Sequence, residues 1–302
     1  MVSKLTFLSS QTAVALIMVS SIATAAMPIR VEITNNAPAG GAFLTPVWTG
    51  FHDGSFDSYN GGLSAQPGLE RIAEDGNTGV ISADFLGGYT YIDGSSGTDV
   101  SARVMSSQAG SARVDGMVGG APIAPGQTVS QDFVIDSSGT NRYLSYVSMV
   151  LPSNDYFVAN GNPMGHDLMS LYGAPAGTSI SFDIGLPGTV NDAGTEVNFA
   201  NISGAGDMED ETVAGLGVLG AGYMGQSAPD VGAMENGVVA NVSDPFGSAM
   251  SLLDAHPNLN FNDSSLYPNG LATVTVSVVP EPSSILLGGL GMLGLIAIRR
   301  RR

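Results

Sequence analysis

Alternating hydrophobic and polar positions recur along the middle of the chain, and this pattern predicts β-strands. In residues 30–34, for example, Val31 and Ile33 lie between polar neighbours. A period of two is typical of a strand with one buried face. Further candidate strands, with the same alternation or a short apolar run, lie at residues 42–48, 129–135, 178–184 and 272–278.

The longest candidate strand, residues 143–151, is apolar almost throughout. Such a run predicts a central strand that is buried on both faces. Clusters of Gly, Pro, Asn, Asp and Ser separate the candidate strands, which is typical of turns. Many short strands joined by such turns predict an all-β fold, either a sandwich or a barrel of antiparallel strands.

Helical signals are few. A short helix is predicted over residues 67–76, because Pro67 can open it and Gly76 can cap its end. Residues 200–250 are rich in Gly, Ala, Met and acidic residues. They predict a long loop, with a second short helix around residues 248–254.

The first 26 residues have the features of a secretory signal peptide. Lys4 precedes an apolar stretch at residues 13–19, and Ala23-Thr24-Ala25 supplies small residues for a cleavage site. The apolar stretch is shorter than the roughly 20 residues that a membrane-spanning helix needs. We therefore expect the segment 1–26 to be removed during export.

Residues 280–302 predict a membrane helix with a short motif in front of it. Pro280-Glu281-Pro282 precede an apolar segment, residues 284–298, and four arginines end the chain. The arginines are expected to stay on the cytoplasmic side. This arrangement resembles the PEP-CTERM sorting signal of Gram-negative bacteria. The resemblance implies that exosortase, a membrane enzyme, removes the tail, so that the protein reaches the surface after transient anchoring in the inner membrane.

Composition and charge exclude several classes of function. The region between the two terminal signals, residues 27–279, has 5 Arg against 26 Asp and Glu, a formal charge of 5 − 26 = −21. That charge excludes a nucleic-acid-binding protein that neutralises phosphates, and it argues against docking on anionic lipid. The chain has no Cys, which excludes disulfides and thiolate sites. With 43% hydrophobic residues the chain can still bury a core.

Oxygen-bearing side chains follow the predicted central strand. Asp155, Asn160 and Asn162 lie there, and Ca²⁺ prefers carboxylate, amide and carbonyl oxygens. Asp132 or Asp136, on the preceding strand or in its turn, could add a second carboxylate across a hairpin. The same residue types also form ordinary turns in which side chains bond to their own backbone. The pattern leaves a calcium site and an Asn/Asp-rich turn as alternatives.

Signals for catalysis are weak. Asp192 and Glu196 have the residue types of a glycosidase pair, but the Gly and Thr between them are typical of a structured turn. The three histidines are far apart in sequence, and no Gly-x-Ser-x-Gly segment marks a nucleophilic serine. We predict that the protein is not an enzyme. The sole Trp, Trp48, lies among apolar residues and is predicted to be in the core.

A series of motifs runs between residues 29 and 279. Residues 68–76 have the sequence GLERIAEDG, and residues 148–157 hold the end of a strand followed by PSNDYF. Further motifs are APAGG at 37–41, FLTPVW at 43–48, FHDG at 51–54 and DAGTE at 192–196. In this order they resemble the spondin N-terminal domain, which occurs in animal matrix proteins and in bacterial exported proteins.

The spondin resemblance implies a C2-like antiparallel β-sandwich that binds a metal, usually Ca²⁺, at one end. It implies that Asp155 is a ligand and that the preceding strand supplies a second carboxylate. That residue is Asp132 or Asp136, and we favour Asp136. Where the animal members have a third acidic ligand, this sequence has Asn160 and Asn162. An amide in place of a carboxylate would weaken calcium binding.

Together these features predict an exported, exosortase-processed β-sandwich that binds calcium and serves as a binding or adhesion module. Its predicted location is the cell surface or the extracellular matrix, and its predicted partner is an extracellular polysaccharide or a surface protein. Two alternatives stay open at this point. One is a purely structural component of an exopolysaccharide matrix, and the less favoured one is an enzyme that acts on polysaccharide.

Overall fold

Two antiparallel β-sheets face each other across the main hydrophobic core. The computed structural model describes residues 26–93, 101–153, 155–195, 237–242 and 257–280. The strands are β1 (Ala26–Asn35), β2 (Phe43–Leu44), β3 (Val47–His52), β4 (Tyr89–Asp93), β5 (Ser101–Met105), β6 (Val114–Val118), β7 (Thr128–Asp136), β8 (Tyr143–Leu151), β9 (Tyr156–Ala159), β10 (Ser179–Ile184), β11 (Asn191–Asp192), β12 (Ala240–Asn241) and β13 (Ala272–Val278). The two α-helices are α1 (Pro67–Asp75) and α2 (Gly79–Leu86).

The first sheet contains the strands that the alternating pattern predicts. Its order is β10-β13-β1-β7, and each neighbouring pair is antiparallel. Along β1, Ile29, Val31 and Ile33 are buried, whereas Arg30 and Glu32 are exposed. Strand β13 alternates in the same way. One face of this sheet therefore packs on the core and the other faces solvent, as the period of two predicts.

The second sheet is built around β8. Its order is β12-β11-β9-β8-β3-β6, and β2 also pairs with β8. All but the first of the nine residues of β8 are buried, which confirms the prediction of a central strand. The architecture is mostly β-sheet and is consistent with the predicted all-β sandwich.

A helical layer covers the face of the second sheet that points away from the first. Both helices contribute to a second hydrophobic cluster, which includes Trp48 from β3, Phe157 from β9, and Leu69 and Phe85 from the helices. The predicted core position of Trp48 is confirmed, because only 1% of its surface is exposed. The central strands of the second sheet, β3 and β8, are therefore buried on both faces, and the molecule has three layers.

The predicted helix at residues 67–76 is confirmed as α1. The Gln66 side chain accepts hydrogen bonds from the backbone N–H groups of Gly68 and Leu69 and so caps the first turn. Gly76 ends the helix with φ = 65°, a left-handed conformation that glycine adopts at little cost. The sequence pattern therefore identified the C-terminal cap, Gly76, but not the N-terminal cap, Gln66.

Several parts of the fold differ from the sequence-based expectation. The stretch 42–48 forms two strands, because Pro46 has no N–H to donate and the chain changes its pairing there. Helix α2 was not predicted, since its N-cap Thr78 makes no side-chain capping bond and its apolar residues do not form one clear face. Strands β4, β5, β6, β9, β11 and β12 are also absent from the sequence-based prediction, because each is only two to five residues long.

Several sequence-based predictions lie outside the described residues. They are the signal peptide 1–26 apart from its last residue, most of the predicted loop 200–250, the helix around 248–254, and the membrane helix 284–298. Within the ranges given above, no helix is long and apolar enough to span a membrane.

We expect Gly50→Ala to destabilise the fold. Gly50 follows Trp48 by two residues on β3, and a Cβ there would lie 2.7 Å from Trp48 Cη2 and 3.0 Å from Phe85 Cζ. Overpacking of this kind costs about 1–3 kcal/mol, measurable by urea unfolding. Gly120→Ala is the matched control, because a Cβ there meets nothing within 4 Å. Equal stability of the two variants would contradict this account of the layer contact.

Candidate functional site

Asp155, the first predicted calcium ligand, is fully buried just before β9. Its Oδ2 accepts hydrogen bonds from the backbone N–H of Thr195 at 3.0 Å and from Thr195 Oγ1 at 3.3 Å. Its backbone carbonyl accepts from the N–H of Ala193 at 3.1 Å. The buried carboxylate therefore ties the turn after β11 to the start of β9.

Asp136, the favoured second ligand, closes the turn between β7 and β8. Its Oδ1 accepts from the N–H of Ser138 at 2.8 Å, and its Oδ2 accepts from Thr140 Oγ1 at 3.1 Å. These hydrogen bonds, those from Ser138 first, hold the pKa of Asp136 below its usual value. The alternative ligand, Asp132, forms a bidentate ion pair with Arg30 on the outer face of the first sheet, at 2.7 and 3.1 Å.

Asn160 and Asn162 lie beyond the other end of β9. The Oδ1 of Asn160 accepts from the N–H of Tyr146 at 2.9 Å, and its Nδ2 donates to Ser145 Oγ at 3.0 Å and to the Asn162 carbonyl at 3.1 Å. Asn162 Oδ1 accepts from the N–H of Met164 at 3.0 Å. Asn160 is therefore bonded mainly to β8, and Asn162 closes a local turn.

The four predicted ligands lie at separate places in the described part of the fold. Asp136 precedes β8 and Asp155 follows it, and a nine-residue strand is about 30 Å long. Asn160 and Asn162 are separated from Asp155 by β9, about 15 Å of strand. In the part of the chain that the structure describes, no group of three or more His, Cys, Asp or Glu is placed to hold a metal ion.

A buried Ser–His pair lies between β3 and β8, but its geometry does not suit nucleophilic catalysis. His52 Nε2 is 2.9 Å from Ser145 Oγ, and the N–H of Gly54 donates to His52 Nδ1 at 3.0 Å. Because Nδ1 accepts, the neutral ring carries its proton on Nε2 and donates it to Ser145. A catalytic base must instead accept the serine proton.

The electrostatics of His52 fit the same conclusion. Burial, and secondarily the charge of Arg113, lower the pKa of His52 to about 3. The ring is therefore neutral at physiological pH.

Asp192, the other candidate catalytic residue in the described region, accepts from the N–H of Gly194 at 2.7 Å, as expected of a structured turn. Glu196 lies outside the described residues.

A groove runs along the edge of the second sheet, past β9, β11 and β12. It consists of two adjoining cavities of about 410 and 500 Å³. Tyr59, Gly161 and Asn241 line both cavities, whereas His166 and Asp183 line the first and Asn191 lines the second. We call it the Tyr59 groove.

Tyr59 is fixed at the junction of the two cavities. Asn191 Nδ2 donates to its hydroxyl oxygen at 3.3 Å, and its ring packs edge-on against Phe157 with centroids 5.3 Å apart. A Cβ on Gly161 would lie 2.8 Å from the Tyr59 hydroxyl, so only glycine leaves that approach open. Burial raises the pKa of Tyr59, and the phenol therefore keeps its proton as a donor.

His166 forms an aromatic wall of the first cavity. Its ring stacks on Phe182 with centroids 3.8 Å apart and 15° between the planes. Burial lowers the pKa of His166 to about 4, so the imidazole is neutral at physiological pH. Both nitrogens lack hydrogen-bond partners among the described residues, which leaves one donor and one acceptor for a ligand.

The sequence pattern indicated this groove only in part. Asn160 and Asn162, predicted as metal ligands, do lie in its lining. Tyr59, His166 and Asn241 come from distant segments that the fold brings together, and no local spacing connects them. One local pattern could have indicated the site. It is the run Tyr59-Asn60-Gly61-Gly62, in which a polar aromatic residue lies beside turn residues.

Comparison with known proteins identifies the C-terminal signal. The PEP-CTERM protein-sorting motif matches residues 278–302. This match confirms the resemblance noted at Pro280-Glu281-Pro282 and implies an exported protein that exosortase processes. No curated protein matches the chain. The spondin resemblance stays a prediction.

We expect His52 to keep the Nε2–H tautomer and to stay neutral down to about pH 4, because its folded-state pKa is about 3. Long-range ¹H–¹⁵N spectra of the imidazole, recorded from pH 8 to pH 4, would measure both properties. Titration near pH 6.5, the value of an unperturbed histidine, would contradict the assignment.

A fluorophosphonate probe for activated serines should leave Ser145 unlabelled, because that serine accepts hydrogen bonds from His52 and Asn160.

Proposed function

We propose that this protein is an exported, non-catalytic binding module of the cell surface or extracellular matrix, and that its ligand lies in the Tyr59 groove. The sorting motif implies export and processing by exosortase. The observation that carries the binding role is the groove itself, because its two cavities are within the range of about 300–1,000 Å³ that is usual for ligand sites.

The chemistry of the described residues supports binding rather than catalysis. The groove offers hydroxyl, amide and imidazole groups, and His166 is neutral at physiological pH. In the buried Ser145–His52 pair the histidine donates its proton to the serine, whereas a catalytic base would accept the serine proton. Asp192 is held in a turn rather than free to act on a substrate.

The route to the surface is part of the proposal. Residues 284–298 would anchor the precursor in the inner membrane, with Arg299–Arg302 on the cytoplasmic side. Removal of this tail would leave the sandwich with the Tyr59 groove to act outside the cell. A polysaccharide of the matrix and a surface protein are both partners that such a module would meet there.

Calcium is not part of the proposed mechanism. Ca²⁺ takes six to eight oxygen ligands. Of the four predicted ligands, only Asp155 lies at the C-terminal end of β8. The four predicted side chains are therefore not gathered at one point among the described residues. The spondin resemblance still predicts an ion at Asp155, and that prediction can be tested separately from the groove.

The proposed binding role predicts that the full-length protein associates saturably with extracellular matrix, when the matrix is taken from cells that do not make this protein. Asn241→Trp should lower the affinity at least tenfold, because Asn241 lines both cavities and is exposed, so that an indole there would block the groove. Gln131→Trp is the matched control, since this exposed β7 position lies outside the groove. Co-sedimentation measures the bound fraction. Equal binding by both variants would contradict a role for the groove.

The resemblance to spondin domains predicts a calcium-dependent rise in melting temperature that depends on Asp155. A ligand at 100 times its Kd, binding only the folded state, adds about 2.7 kcal/mol of stability. Asp155→Asn should abolish the rise, and Asp136→Asn should keep it because Asp136 lies at the opposite end of β8. Thermal unfolding in chelator and in millimolar Ca²⁺ provides the measurement. An unchanged melting temperature of the wild type would show the calcium prediction to be wrong.

A further inference from the structure

All five arginines of the region 27–279 are engaged within the protein. Four form ion pairs with carboxylates, and the fifth, Arg113, donates from Nη1 to the backbone carbonyls of Phe85 and Tyr89 at 2.9 and 2.7 Å. The only lysine, Lys4, lies in the predicted leader. The four pairs are Arg30–Asp132, Arg71–Asp75, Arg103–Asp84 and Arg142–Asp167.

Because the arginines are already engaged, they determine which ligand charge the Tyr59 groove favours. No arginine or lysine is among the described residues that line the Tyr59 groove, whereas Asp183 contributes a carboxylate. The chain as a whole has a formal charge of −17. An anionic ligand would lose its hydration without gaining a cationic partner, and the surrounding field would repel it. Acidic polysaccharides and phosphates are therefore poor candidates.

The polar groups of the groove include both donors and acceptors. The Tyr59 phenol and the neutral His166 ring each donate and accept, and the Asn241 amide has both kinds of atom. Asp183 accepts from Thr273 Oγ1 at 2.7 Å through Oδ1, and no group in the described ranges donates to its Oδ2. Vicinal hydroxyl groups, which both donate and accept, complement such a lining better than a ligand with one kind of group.

Aromatic surface lies beside these polar groups. His166, whose ring stacks on Phe182, lines the first cavity, and Tyr59 stands at the junction of the two cavities. An aromatic ring offers a flat apolar face next to polar edges. The C–H face of a pyranose ring fits that combination, with its hydroxyls directed at the neighbouring amide and imidazole. Two joined cavities also suit linked sugar units rather than a single one.

We propose that the Tyr59 groove binds an uncharged polysaccharide, with adjacent sugar units in the two cavities on either side of Tyr59. This inference rests on the proposed binding function and adds the chemical class of the ligand. Contacts between hydroxyls and amides, together with sugar packing on Tyr59 and His166, account for recognition without a metal ion or a cation.

Affinity electrophoresis of the full-length protein in detergent tests the proposal with defined polysaccharides. The neutral probes are laminarin, dextran and mannan, and the acidic probes are alginate and hyaluronate. We expect at least one neutral polysaccharide to retard the wild type and neither acidic one to do so. Asn241→Trp should weaken that retardation at least tenfold, and Gln131→Trp should leave it unchanged. Tyr59→Phe, which keeps the ring and loses the hydroxyl, should fall between them.

The possible outcomes separate this inference from the proposed function. Retardation by acidic probes alone, or by none of the five, would overturn the ligand class, while groove-dependent binding to native matrix would leave the binding function standing. Neutral-glycan binding that Asn241→Trp does not affect would overturn the site. Failure to bind native matrix as well would overturn the proposed function itself.

Discussion

The burial of β8 on both faces is the constraint on which the rest of the structure depends. One face of this strand contributes to the core between the sheets and the other lies under the helical layer. Any polar side chain on it must find a partner inside the protein, because water does not reach it. Ser148 Oγ donates to the Thr45 carbonyl at 2.9 Å, and Ser145 is bonded to His52 and Asn160. These contacts tie β8 to the β2–β3 junction, to β3, and to the segment that lines the Tyr59 groove.

The predicted metal ligands show why Asn and Asp are ambiguous in a sequence. A side-chain oxygen that can bind a cation can also accept the backbone N–H two residues later and close a turn. Asp136, Asn162 and Asp192 all do the latter. Local bonding satisfies one or both oxygens without any ion. Asp155 differs because its bonds reach Thr195, forty residues away, and this long-range role leaves no local signature in the sequence.

The sequence could predict those features that depend on local patterns. The alternation in β1 and β13, the apolar run of β8, and the Pro and Gly that bound α1 each act within about ten residues, and the structure confirms them. The Tyr59 groove could not be predicted in this way. Its walls come from loops and strand ends far apart in the chain, and only the pairing of β9 with β8 and β11 brings them together. Helix α2 was missed because tertiary packing, rather than capping or periodicity, holds it in place.

The described part of the chain is also held together without covalent cross-links, and buried side-chain amides provide much of the long-range connection. Asn35 donates from Nδ2 to the carbonyls of Ala42 and Ile123 and accepts from the N–H of Ala37. Because an amide is neutral, it joins several backbone segments without the desolvation cost of a buried charge, and its bonds do not change with pH.

Asn141 makes the same kind of link in another part of the sandwich. It donates to the carbonyls of Phe51 and Ala112 and accepts from the N–H of Asp136, so that one side chain connects β3, the turn before β6 and the end of β7. An exported protein without cysteine cannot use disulfides for this purpose. Asn160, beside the Tyr59 groove, is held in the same way. Hydrogen bonds that its side-chain amide makes with Tyr146 and Ser145 of β8 fix this part of the groove lining.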